Sequence, residues 1–269
     1  MSKYKVGFIG CGNMGFALAK AAEKTIGGKE IILSAKEESE AASKAKELSS
    51  AYGSTKEVSE NAEFIFLAVK PQNLDEIADE LSGVLCERGD NLILVSMLAG
   101  VEMKKLSEKF GKGIKIIRIM PNTPVSVGEG MILMSASENV TAKDKSEFLH
   151  IMEKSGEICE FPEKLIDAGT AVSGCGPAFC FMFLDALADG AVSCGIPKDK
   201  ALEMAVQTLI GSAKLAKESP LSPSELKDKV TSPGGSTIEG VKALEEGAFR
   251  ATCMNAVVKA YEKTKKLGK

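Results

Sequence analysis

The sequence predicts an α/β protein, a doubly wound and mainly parallel sheet covered by helices on both faces, followed by an all-helical region. Three observations carry this prediction. The apolar stretch Val6-Gly7-Phe8-Ile9 stops at Gly10-Cys11-Gly12-Asn13-Met14-Gly15, and a helical pattern follows over residues 16–22. Apolar strand runs and helical patterns then alternate as far as residue 161, at the spacing of βαβ units. From Glu163 no further strand run occurs, and alanine, leucine and small residues recur at helical intervals. Two domains are therefore expected, residues 1–162 and 163–269.

A strand, G-x-G-x-x-G and a helix in that order form the Rossmann-type dinucleotide fingerprint. Gly10 permits the tight turn, Gly12 lets a pyrophosphate approach the backbone, and Gly15 allows close packing of helix on strand. The helix N-terminus adds unpaired N–H groups and partial positive charge. Cys11, Asn13 and Met14 complete the turn and are assigned to the cofactor with the glycines. Residues 30–34 read as the second strand, ending Ser34-Ala35-Lys36 where an NAD enzyme carries an acid for the ribose hydroxyls. A hydroxyl and a cation favour a 2′-phosphate instead, so Ser34 and Lys36 predict NADP(H) as the preferred cofactor, with NAD(H) also admitted. Glu37 and Glu38 follow at once.

Residues 41–48 are helical, and 52–54 form a short edge element. The run at 63–69 is continuously apolar after Glu63 and stops at Lys70-Pro71, as a strand buried on both faces does. Its carboxyl end opens onto the cofactor crevice and places Ala68, Val69 and Lys70 there. Helix 73–85, strand 91–96, helix 102–110 and strand 114–120 continue the alternation, and Ala99, just past strand 91–96, is also assigned to the cofactor. In Met120-Pro121-Asn122-Thr123-Pro124 the prolines fix the backbone; Asn122 either serves the turn or meets a nicotinamide amide. Strand 131–136, helix 142–154 and strand 156–161 complete the first domain.

In the second domain, residues 178–192 are apolar nearly all round and read as a helix buried among other helices. Asp185 and Asp189 interrupt it too early for a membrane span. With no histidine partner they form a polar stripe or interface pair rather than a metal site. Helices 198–217, 222–229 and 248–265 follow, and so open and apolar a region is expected to bury its surplus surface against a second subunit. Between them, Val230-Thr231-Ser232-Pro233-Gly234-Gly235-Ser236-Thr237-Ile238-Glu239-Gly240 is a glycine loop opening a helix. Ser236 and Thr237 can cap that helix. The two glycines leave N–H groups in a concave turn suited to a carboxylate.

The 269 residues are 44% hydrophobic and 26% charged with net charge −3, which suits a soluble protein and gives no attraction to nucleic acid or an anionic membrane. Seven cysteines without a CxxC pair suit a reducing compartment, and the first strand begins too close to Met1 for a leader. A cytoplasmic protein is expected. The single histidine, His150, lies in a Lys/Glu-rich helical stretch, so no catalytic triad, histidine zinc site or histidine proton shuttle can be assembled, and no metal is expected. An enzyme built from this chain needs chemistry with little acid–base help.

Five segments, Gly10-Cys11-Gly12-Asn13-Met14-Gly15, Ala68-Val69-Lys70-Pro71, Met120-Pro121-Asn122-Thr123-Pro124, Ser173-Gly174-Cys175-Gly176-Pro177-Ala178-Phe179 and Thr231-Ser232-Pro233-Gly234-Gly235-Ser236-Thr237-Ile238, stand in the order and spacing of the pyrroline-5-carboxylate reductases. The chain resembles that family over essentially its whole length. The resemblance implies NAD(P)H-dependent reduction of the C=N bond of L-1-pyrroline-5-carboxylate to L-proline, the last step of proline biosynthesis. It implies that Ser232, Gly235 and Ser236 hold the substrate carboxylate, that the Thr237 hydroxyl bonds the ring nitrogen as the catalytic group, and that Glu163 contributes from the domain junction. It also implies dimers through the helical domain and rings of dimers, a decamer among them. Two positions depart from the family pattern: Cys175 replaces a usual serine, and Thr55 stands near a usual asparagine. An imine is already electrophilic, so hydride transfer to it needs mainly approach and orientation. The β-hydroxyacid dehydrogenases share the architecture, but their catalytic lysine with its spaced asparagine is not found. An NADP-sensing regulator is the non-enzymatic alternative, against which the intact 232–237 loop argues.

Overall fold

The computed structural model describes residues 2–267. Its first half runs β1 (Tyr4–Ile9), α1 (Asn13–Ile26), β2 (Ile31–Ser34), α2 (Glu38–Leu48), β3 (Ala51–Tyr52), α3 (Thr55–Asn61) and β4 (Ala62–Leu67). There follow α4 (Leu74–Arg88), β5 (Ile93–Ser96), α5 (Met103–Phe110), β6 (Lys115–Met120), β7 (Gly130–Ala136), α6 (Ala142–Ile151), β8 (Gly156–Glu160) and α7 (Glu163–Ser173). The strand order is β3-β2-β1-β4-β5-β6-β7-β8. All neighbours pair in parallel except β6 with β7. The sheet is thus the doubly wound, mainly parallel one read from the sequence.

Each face of the sheet has its own core, which is why β1, β4 and β5 are apolar on both sides. On one face Phe8, Phe66 and Phe148 stack between the strands and helices α1 and α6, with ring centroids 4.6 Å and 6.2 Å apart. On the other, Ile65, Leu67 and Leu94 pack under Leu74, Leu81 and Leu85 of α4 and Leu106 and Phe110 of α5. One helix was not expected. In α3, Ser54 Oγ accepts from the Glu57 N–H at 3.1 Å and the Glu57 carboxylate accepts from the Ser54 N–H at 2.8 Å, a reciprocal cap that overrides the short, polar sequence.

Contacts divide the chain into two compact units, Gly176–Lys259 forming one of them. It comprises α8 (Gly176–Ser193), α9 (Lys198–Glu218), α10 (Pro223–Lys229), α11 (Ser236–Glu246) and α12 (Phe249–Leu267) up to Lys259. Lys198 Nζ lies 2.8 Å from Asp185 and 2.5 Å from Asp189, so the aspartate stripe of α8 holds the first turn of α9. Phe183 and Phe249 meet at 5.7 Å. The expectation that residues 178–192 are buried among helices is corrected: Ala188 is the buried residue of α8, and Phe181 and Met182 are 62% and 73% exposed. Its apolar circumference is not covered within one chain. By length and composition alone, the stretch Glu163–Ser193 is also apolar enough to cross a membrane.

Candidate active site

Because β1, β2, β4, β5 and β6 are parallel, their carboxyl ends share one edge of the sheet. Strand order reverses between β1 and β4, the switch point where α/β sheets bind ligands. The backbone knits this edge together: the Gly10 N–H donates to Ser34 O at 3.0 Å and the Ala68 N–H to Ile9 O at 2.8 Å. Gly10 to Met14, Ser34, Ala68 and Val69 therefore form one cluster. Lys36 and Lys70 are exposed just beyond the ends of β2 and β4, and Ala99 is half-buried beyond β5.

The glycines of the turn face different surroundings. Gly10 has φ +90°, and a Cβ there would lie 2.8 Å from Ala68 O; a Cβ on Gly15 would lie 2.3 Å from Gly10 O. Around Gly12 a Cβ would meet nothing within 4 Å. Gly12 is also the N-cap of α1 and no side chain caps the helix, so its first N–H groups are left without a capping side chain. That geometry fits the pyrophosphate of a dinucleotide. The Ser34 hydroxyl is buried with no partner. Cys11 is buried, which pushes its thiol up in pKa although the Lys44 cation pulls the other way. The thiol stays protonated and unreactive.

Asn122 follows β6, and its side chain is engaged within the protein. Its amide donates to Ser173 O at 2.9 Å, and its carbonyl accepts from the Met131 N–H at 2.9 Å. This ties β6, β7 and the end of α7 together. Of the two readings left open by the sequence, the structure displays the turn-fixing one.

Glu163 begins α7, and its Oε1 accepts from the Met103 N–H at the start of α5 at 2.6 Å. The same oxygen lies 3.3 Å from Arg118, whose other terminal nitrogen lies 2.8 Å from Asp167. Arg118, in the middle of β6, is 1% exposed. It was not singled out from the sequence, although an arginine inside Ile-Ile-Arg-Ile-Met, with carboxylates at i and i+4 of a later helix, is a readable signal. A buried cation must be paired.

In the second unit, Ser232, Gly235, Ser236 and Thr237 lie in one turn. Thr231 anchors it, its hydroxyl donating to Lys227 O at 2.6 Å, and the Gly235 N–H closes it on Ser232 O at 3.1 Å. Gly234 has φ +67°, and a Cβ on Gly235 would lie 2.4 Å from Ser232 Oγ. The expected capping by Ser236 or Thr237 is corrected. Gly235 is the N-cap of α11 and no side chain caps it, so both hydroxyls stand in the first turn of the helix beside its uncapped N–H groups. Hydroxyls and N–H groups together make an anion cradle.

A cleft of about 820 Å³ lies at the opposite, amino-terminal edge of the strands, lined by Glu63, Arg88, Lys115 and Asp144. Within it Lys115 pairs with Asp144 at 3.0 Å and Arg88 donates to Ala62 O at 2.7 Å. Volume alone does not make it the site. Among the described residues no cluster suited to a metal ion occurs, and all seven cysteines are free thiols.

Fold and turn together define a class, a dinucleotide-binding oxidoreductase with an appended helical region. Similarity to known proteins narrows this. Residues 163–267 match the pyrroline-5-carboxylate reductase dimerisation family, and residues 5–100 match the family described as NADP oxidoreductase, coenzyme F420-dependent. The pyrroline-5-carboxylate reductase of Aquifex aeolicus is 39% identical over 264 residues, covering 98% of this chain and 97% of that one. That of Escherichia coli is 40% identical over 268 residues, 98% of each. The crystal structure of Plasmodium falciparum pyrroline carboxylate reductase with NADP bound superposes with a TM-score of 0.89 at 33% identity, covering both chains completely. The chain belongs to the pyrroline-5-carboxylate reductase family. The match of residues 163–267 to a dimerisation family supports self-association of the chain.

Proposed function

We propose that the protein reduces L-1-pyrroline-5-carboxylate to L-proline with NADPH, accepting NADH less well, as the final step of proline biosynthesis. The observation that carries this reading is the full-length likeness to reductases of that name. The two uncapped helix starts, at Gly12 and at Gly235, supply the two anion sites that the reaction needs, one for cofactor and one for substrate.

When bound, the reduced nicotinamide supplies a hydride to the imine carbon. The protein's own groups do the rest. The N–H groups of Gly12, Asn13 and Met14 hold the pyrophosphate, with Gly10 and Cys11 shaping the turn. Lys36 and the Ser34 hydroxyl, once turned outward, meet the 2′-phosphate. Ala68, Val69, Lys70, Ala99 and Asn122 line the crevice by backbone and packing. Ser232, Gly235 and Ser236 hold the substrate carboxylate, and the Thr237 hydroxyl hydrogen-bonds the ring nitrogen, which gains its proton ultimately from water. Hydride to carbon and proton to nitrogen balance the reduction. Glu163 acts by fixing the start of the second domain, residues 163–269, through Arg118.

The reading includes a cytoplasmic homo-oligomer, dimers joined through the helical region and assembling into rings up to a decamer. The exposed charge cluster of Lys198, Asp185 and Asp189 favours a subunit interface over lipid for α8. The test is loss of nicotinamide absorbance when purified protein meets pyrroline-5-carboxylate with NADPH or NADH, beside Thr237→Ala and Lys36→Met. Rapid oxidation of NADPH, cut about a hundredfold or more in Thr237→Ala, supports the reaction and the site. Folded protein that turns over neither cofactor overturns the assignment.

A further inference from the structure

Lys44 of α2 reaches across to the glycine turn, where its ammonium donates to the Cys11 carbonyl and to the Glu40 carboxylate. It also lies over the Phe16 ring of α1, 5.4 Å from the centroid. A trans peptide is planar, with its C=O and N–H pointing to opposite sides. A carbonyl held toward α2 therefore sends the Gly12 N–H to the opposite side of that peptide, and a Cβ on Gly12 would meet nothing within 4 Å. Lys20 offers a comparison: it covers the same ring at 4.7 Å and pairs with Glu47 at 2.5 Å, with no contact to the turn.

We propose that Lys44 is a positioning residue for the cofactor, clamping the Cys11–Gly12 peptide so that the Gly12 N–H faces the pyrophosphate. This goes beyond the reductase reading but rests on its cofactor. Because the pyrophosphate is common to both nicotinamide cofactors, loss of the clamp weakens NADPH and NADH equally. Loss of Lys36, facing the 2′-phosphate, weakens NADPH alone. Phe16 and Glu40 orient the ammonium, and buried Cys11 leaves its carbonyl no water to turn to.

The test is direct binding, followed by the fluorescence of the reduced nicotinamide, so it does not depend on turnover. Lys44→Met, which keeps the stem on Phe16, is expected to bind both cofactors about tenfold more weakly. Lys44→Arg, which still donates, is expected to stay near wild type, and Lys20→Met to match it. In the cofactor-free protein labelled with ¹⁵N-glycine, the Gly12 amide resonance is expected to move in Lys44→Met and not in Lys20→Met. Unchanged binding in Lys44→Met, a still Gly12 resonance, or weakening confined to NADPH would each overturn the proposal. Wild-type protein that binds cofactor but reduces no imine would sink the reductase reading and leave this one standing.

Discussion

The two units bury their apolar residues in different ways. In the sheet unit, nearly every large apolar side chain of β1, β4 and β5 is inside, with Phe8, Phe64, Phe66, Ile65 and Leu94 fully buried. In the unit from Gly176 to Lys259, the buried apolar residues are the alanines Ala188, Ala201 and Ala205, while Met182, Met204, Ile210 and Met254 stand open. A sheet wound on both faces closes its core within one chain. The helices of the second unit leave large apolar side chains open, and the matched dimerisation family supports self-association of the chain.

The largest expected effect comes from attacking that difference. Met182→Glu puts a charge on the exposed apolar face of α8 proposed to pack against a second subunit, and association should weaken at least about a hundredfold, read by sedimentation. Val127→Glu, at a residue equally exposed at 73% but in the sheet unit, should leave assembly and stability within about 0.5 kcal/mol. If both variants behave alike, the contrast between the units is wrong.

The next largest tests what fixes α7 to the sheet. Arg118→Ala strips two carboxylates of their partner and leaves a void, so a loss of about 3–5 kcal/mol is expected in denaturant melts. Arg118→Met, which refills the space, should lose less. Smaller still is the comparison inside the glycine turn. Gly15→Ala forces a Cβ to 2.3 Å from Gly10 O and should cost about 1–3 kcal/mol of stability. Gly12→Ala has open space and should spare stability while weakening cofactor binding.

The smallest concerns Asp144, whose side chain caps α6 and pairs with Lys115. Burial alone would raise its pKa, but the Thr141 N–H and hydroxyl and the Lys115 ammonium together hold it below the ordinary 3.8. A depressed folded pKa gives stability that is present above the unfolded value and lost as pH falls through the folded one. The advantage of wild type over Asp144→Asn, about 1 kcal/mol at neutral pH, should therefore shrink below pH 3.8, measured as urea midpoints.

Periodicity made the strands and most helices legible, because burial on both faces writes a continuous apolar run. It failed at α3, where a short stretch with Val58 as its one apolar residue folds because Ser54 and Glu57 satisfy each other's backbone. It also ran two residues too far at β4, where Ala68 and Val69 leave the ladder to wrap the cofactor turn. Gly10 and Gly15 in the turn and Gly234 and Gly235 in the loop were legible because φ or space requires glycine there. Arg118, though set in an apolar strand, and Lys44 were not singled out, since Glu163, Asp167 and the Cys11 carbonyl lie far from them along the chain.

The sequence by itself determined the doubly wound sheet, the glycine turn, the change to helices at Glu163 and the family, all of which rest on local pattern. Tertiary structure alone decided that Asn122 ties strands together, that Glu163 pairs with a buried arginine, that Lys44 holds the Cys11 carbonyl and that α8 is left uncovered. The physical reason is common to all four. Pattern records which side chains avoid water, whereas the partner of a polar group and the cover of an apolar face are fixed only when distant segments meet.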